Sequence, residues 1–196
     1  MKNWGKYAVA LIFTVTACTT VPLADEANLP YFAPNHLLAL PQPGDLGKSL
    51  EMSQMITVRH DDDVFAFEGH ISVTPERFYL VGVDGMGRRA MSVTWDKSGK
   101  IIAERADWLP AAVRSGSMLA DIILIYWPAA VLRPALENAG AVLVDGPTSR
   151  SISVDGKEIL KIDYLAGRPQ ATTGRLHYRN SAWGYEIDVQ SVEATP

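Results

Sequence analysis

The sequence predicts a mainly β domain built on a curved antiparallel sheet, with a helical insertion in its middle. Three observations carry this. From Gln54 onward, short alternating segments are separated by tight-turn sequences. An almost wholly apolar stretch at 115–127 then breaks the pattern. Alternation resumes at 141 and runs to the end of the chain. Hairpins on both sides of a helical insertion leave one apolar concave face, which the helices would cover as in a half-open barrel.

The elements follow in order. Lys2 and Lys6 give a positive start, residues 7–15 are apolar, and Thr16-Ala17 are small. This reads as a signal peptide over 1–17, too short in its apolar part to stay across a bilayer. Residues 18–47 read as a tether, because Pro22, Pro30, Pro34, Pro41 and Pro43 forbid helix or central strand. Tyr31, Phe32 and the apolar residues at 37–40 imply that part of it packs on the domain that follows, 48–196. Strands are predicted at 55–60, 64–71, 77–83, 89–95 and 100–106. Their turns are His60-Asp61-Asp62-Asp63, Asp84-Gly85-Met86-Gly87 and Asp96-Lys97-Ser98-Gly99. A helix follows over 115–127, capped by Ser115 or Ser117 and stopped by Pro128. A second spans 131–138, with Gly140 as its stop signal; together they form a lid over about 115–139. Strands return at 141–144, 149–154, 157–165, 176–179 and 185–192, the last with Tyr185, Ile187 and Val189 on one face and a wet opposite face.

Composition narrows function. The formal charge of −4 becomes −6 once Lys2 and Lys6 leave with the signal peptide, 16 basic residues against 22 acidic. The balance is mildly acidic and no basic stripe exists, which argues against nucleic acid as a partner. Cys18 is the single cysteine, which rules out an internal disulfide. Val15-Thr16-Ala17-Cys18 resembles the lipobox of bacterial lipoproteins. That resemblance implies a thioether-linked acyl anchor on Cys18. Thr19, where an aspartate would favour inner-membrane retention, implies the outer membrane and its periplasmic face.

No motif nominates catalysis. His60-Asp61-Asp62-Asp63 lacks the glycine and distal glutamate of a calcium loop and reads as a solvated turn. His36, His70 and His177 have no metal-ligand spacing. Serines occur without a Gly-x-Ser-x-Gly elbow. Asp121, alone in an apolar helix, is read as its one wet stripe rather than as a buried carboxylate of raised pKa. The sequence implies no metal and no cofactor. Phe65, Phe67, Phe78, Leu80, Trp95, Trp108, Ile122, Ile123, Tyr126 and Trp127 supply much bulky apolar surface. Such surface either packs solidly or lines a cavity for an apolar ligand.

Arg77-Phe78-Tyr79-Leu80, Asp84-Gly85-Met86-Gly87-Arg88, Trp108-Leu109-Pro110 and Trp127-Pro128-Ala129-Ala130-Val131-Leu132 resemble an uncharacterised family of LolB-like outer-membrane lipoproteins. The resemblance covers about residues 46–192. It implies the LolA/LolB-type carrier fold, a half-open barrel whose helical lid closes over acyl chains, and a link to aryl-polyene or fatty-acid-type biosynthesis. It tips the bulky residues toward a cavity for an acyl or polyene ligand, such as lipoprotein acyl groups. It also implies a periplasmic lipoprotein carrier as partner, a monomer, and no enzymatic activity. In LolB an apolar residue protrudes from a loop between two early strands to meet membrane or cargo. Met86 holds that place here, and the alternative is a turn served by two glycines with an incidental exposed methionine. Two rival functions stay open: an assembly lipoprotein with a filled core and a protein partner, and a lipid-directed hydrolase.

Overall fold

The computed structural model describes residues 28–110, 113–167 and 171–193; Cys18 and its lipobox lie outside them. Ten strands form one antiparallel sheet that stays open, in the order β7-β6-β5-β4-β3-β12-β11-β10-β9-β8. They are β3 (Leu50–His60), β4 (Asp63–Val73), β5 (Arg77–Val83), β6 (Arg89–Asp96) and β7 (Ile101–Arg105). After the helices come β8 (Ala141–Asp145), β9 (Ser149–Val154), β10 (Lys157–Tyr164), β11 (Arg175–Asn180) and β12 (Tyr185–Glu193). The last strand closes on the first long one, with Tyr185 opposite His60 and Glu193 opposite Met52. The two hairpin halves thus become one curved sheet. A small separate pair, β1 (Tyr31–Ala33) and β2 (His36–Leu37), precedes it.

Alternation decides which side chains meet the core. Leu50, Met52 and Gln54 of β3 are buried and face inward, as do Ile71 and Val73 of β4, Phe78 and Leu80 of β5, and Val93 and Trp95 of β6. The outer face is polar, with Arg59 paired to Asp188 and Ser53 bonded to His70.

The insertion is α1 (Ser115–Tyr126) followed by α2 (Ala129–Asn138). Pro128 ends the first and caps the second, and Gly140 takes a left-handed φ of 74° just past the end of α2. Neither serine caps α1: its N-cap is Arg114, with no side-chain hydrogen bond. Helix α1 buries ten of its twelve residues. Trp127 seats its ring on Trp95 and Phe78, with centroids 6.0 and 6.5 Å apart. Residues 28–47 are built into the same core, since Phe32, Ala33 and Leu38 are at most 2 % exposed. Their approach to α1 requires a glycine. A Cβ on Gly116 would lie 2.2 Å from the Leu29 carbonyl oxygen.

Arg150 fastens the other end of α1. It is fully buried, donates to the carbonyls of Leu124 and Trp127, and holds Asp145 at 2.8 Å. Tyr164 adds a bond to the Ile125 carbonyl at 2.8 Å. A cation against the last carbonyls of a helix meets both its unpaired acceptors and its dipole.

Candidate functional site

Antiparallel pairing gathers several connections at one end of the sheet. The β3–β4 hairpin, the β5–β6 turn, the loop entering α1 and the β11–β12 turn all lie there. Residue pairing also makes an apolar ladder on the inner face near this end. Phe67, Ile56 and Val189 stand side by side across β4, β3 and β12, and Phe65, Val58 and Ile187 form the next rung. Of these six only Val189 is buried; the other five are half-buried. Phe65 and Phe67 stack with centroids 6.4 Å apart. The first residues of β4 have no paired strand on the β5 side, since the β4–β5 pairing stops at Glu68 and Val83.

Trp108 and Met86 lie at the same end. Met86 is 81 % exposed at the top of the Asp84–Arg88 turn, where the Asp84 carboxylate accepts from the backbone N–H of Met86 and of Arg88. Trp108 is 46 % exposed, and the Arg88 guanidinium stacks on it at 4.9 Å. The bonds from Arg88, backbone first, hold the Asp84 carboxyl below its usual range.

The ten bulky residues separate into two groups. Phe78, Leu80, Trp95, Ile122, Ile123 and Trp127 are together in the core beneath α1, from 0 to 9 % exposed. Tyr126 borders them, its hydroxyl accepting from Gln54 at 2.6 Å, and burial pushes its pKa up to about 12. Phe65, Phe67 and Trp108 lie at the end of the sheet, where Phe67 packs against a small buried cluster of Ala90, Met91 and Leu109. A cleft of about 140 Å³ lies on the opposite, outer face between Met55, Leu165 and Gln190, away from all ten.

Asp121 is not a wet stripe. It is 4 % exposed and accepts hydrogen bonds from the hydroxyls of Tyr178 and Tyr185, whose rings stack 6.0 Å apart. Burial pushes its pKa up to about 7, against the two hydroxyl bonds that favour the carboxylate. The sequence signal missed here is the parity of β11 and β12, which sends Tyr178 and Tyr185 inward beside the helix. The histidines serve local contacts: His36 bonds the Ala139 carbonyl and His177 pairs with Asp188. Among the described residues no three potential metal ligands converge.

These features define a class: a mainly β protein whose open antiparallel sheet is covered on its inner face by a helical insertion. Residues 51–193 match the family described as protein of unknown function DUF3261, and the chain belongs to that family. No curated protein matches it. Among solved structures it is similar to a DUF1329 family protein from Desulfovibrio piger. Identity is 7 %, coverage is 76 % of this chain and 86 % of that one, and the TM-score is 0.34.

Proposed function

We propose that this protein is a non-enzymatic carrier, anchored through Cys18 to the periplasmic face of the outer membrane, that holds an acyl or polyene-like chain. The observation that carries this reading is the half-exposed ladder of Phe67–Ile56–Val189 and Phe65–Val58–Ile187 on the inner face of an open sheet. Apolar surface there gains about 25 cal/mol per Å² when covered, so one long chain laid along it gives useful affinity. The LolB-like resemblance of the β5–β6 turn supports the same reading. In it Met86 touches membrane or cargo, and a monomer exchanges acyl groups with a periplasmic lipoprotein carrier.

A second reading has its own support. Phe78, Trp95 and Trp127 pack with Ile122 and Ile123 in one buried cluster, which suits an assembly lipoprotein that recruits a protein partner. The experiment that separates them is mass spectrometry of lipid extracted from the natively purified protein. A stoichiometric acyl or polyene species that disappears in Phe67→Asp supports the carrier. Absence of any such species, in protein that also fails to bind added fatty-acid probes, refutes it.

A further inference from the structure

Two buried polar groups without partners and a stacked arginine lie near the start of α1. Arg114 is the N-cap; its guanidinium lies 4.7 Å from the Trp183 ring, and among the described residues no carboxylate pairs with it. The Trp183 indole N–H is buried with no acceptor, and the Ser117 hydroxyl, in a residue 7 % exposed, is also without a partner. Ser117 is the third residue of α1, and helical side chains lean toward the N-terminus. It shares a face with Asp121, four residues on, whose carboxylate touches Tyr185 of β12. That face therefore looks at the start of β12, and Trp183 is two residues before Tyr185. The first turn of α1 holds no acidic residue, so the positive end of the helix is not neutralised from within.

Unused donors in so buried a place carry a desolvation cost that an anion would offset. We propose that Arg114, Ser117 and Trp183, with the N-terminus of α1, form a binding site for the anionic head of an amphiphile whose chain lies along Phe65 and Phe67. The inference rests on the carrier reading and narrows it: the ligand is a chain ending in a carboxylate or phosphate, not a neutral hydrocarbon, alcohol or ester. Arg114 supplies charge and a planar fork that fits either group. Stacking on Trp183 fixes that fork, and the indole N–H and the Ser117 hydroxyl add donors beside it.

The test uses the full chain with cis-parinaric acid, a polyene carboxylate that fluoresces in apolar surroundings, displaced by palmitate, hexadecanol or dioctanoyl phosphatidic acid. Palmitate should displace the probe at least about tenfold better than hexadecanol, the scale of one charge-assisted contact. Arg114→Ala should erase that preference, Arg114→Lys should keep most of it, and Trp183→Phe, which retains the ring but not the N–H, should reduce it two- to fivefold. Because Arg114 makes no ion pair among the described residues and only stacks on Trp183, Arg114→Ala should lower the melting temperature by no more than a few degrees. Displacement by phosphatidic acid as well as palmitate makes the source a phospholipid head; displacement by palmitate alone makes it a free fatty acid; either result supports the site. Equal displacement by palmitate and hexadecanol, unchanged in Arg114→Ala, overturns the head-group site and leaves apolar binding standing. No binding of the probe at all overturns the carrier reading and this inference with it.

Discussion

Asp121 gives a pH dependence that can be worked out from its surroundings. Its carboxyl is pushed from 3.8 to about 7 in the folded protein, with desolvation the main cause. Between those values the folded state holds a proton that the unfolded state has lost. The unfolded state binds fewer protons, so stability falls as pH rises through this window. The interval corresponds to about 4 kcal/mol for the single group at 1.36 kcal/mol per pH unit. That is a large share of a typical domain stability. Asp121→Asn removes the titration while preserving shape, and the amide can accept from one tyrosine hydroxyl and donate to the other. Urea unfolding at pH 5.0, 6.0, 7.0 and 8.0, by tryptophan fluorescence, reads the effect. Wild type should lose stability from pH 5.0 to about 7 and level off by pH 8.0, where both states have lost the proton, and Asp121→Asn should show a much flatter profile. The groups with depressed pKa values act elsewhere. Asp188, held down chiefly by its bond from Arg59, contributes stability that disappears only as pH falls below the usual carboxylate range. A constant difference between wild type and Asp121→Asn over the whole series would refute the reasoning.

Four further outcomes follow from particular contacts. Arg150→Met removes the bond to Asp145 and the bonds to the carbonyls of Leu124 and Trp127 at a buried site, so urea unfolding should show a loss of about 3 kcal/mol. Gly116→Ala places a methyl 2.2 Å from the Leu29 oxygen, so the segment at 28–29 must leave α1; limited proteolysis should then cut before β1 faster than in wild type. Met86→Glu, at an 81 % exposed turn, should change stability by no more than about 0.5 kcal/mol while weakening association of the unlipidated protein with liposomes. Cys18→Ser should leave the protein out of the membrane fraction, and normal membrane retention would count against the anchor.

Local patterns made the hairpins legible. Asp61, Asp155 and Gly156 all take positive φ, as the polar turn sequences around them indicate. The alternation of Tyr185, Ile187 and Val189 placed β12 correctly, and Pro128 and Gly140 marked the helix ends. What sequence did not reveal depends on distant partners. Arg150 sits between serines and looks solvated, yet it shares a strand face with Ile152 and is drawn inward by carbonyls about 25 positions away. Asp121 needed Tyr178 and Tyr185, 57 and 64 positions on, to be recognised as buried. The capping serines were misread for a related reason. Both lie inside the helix and are buried, Gly116 between them packs against Asn28 and Leu29, and the N-cap is Arg114. Bulk alone did not separate the buried residues beneath α1 from Phe65, Phe67 and Trp108. Strand register did, because only the register shows where β4 outruns β5.

Register also orients the molecule with respect to its proposed anchor. The first described residues, Asn28 and Leu29, lie against Gly116 in the first turn of α1. That turn is at the end of the sheet that carries Met86, Trp108, Phe65 and the Arg114–Trp183 pair. Ten peptide links separate Cys18 from Asn28 and reach at most about 35 Å when extended. A lipid on Cys18 would therefore hold the attachment point at this end of the domain within about 35 Å of the bilayer. Arginine stacked on tryptophan suits such a place, since both side chains join an apolar body to a polar tip. The anchor would raise the local concentration of the ladder at the surface from which an amphiphile must be extracted. A longer linker inserted before Asn28 should then slow ligand uptake from vesicles without altering affinity for monomeric palmitate. Equal slowing of both would place the cause in the site itself, not in the tether.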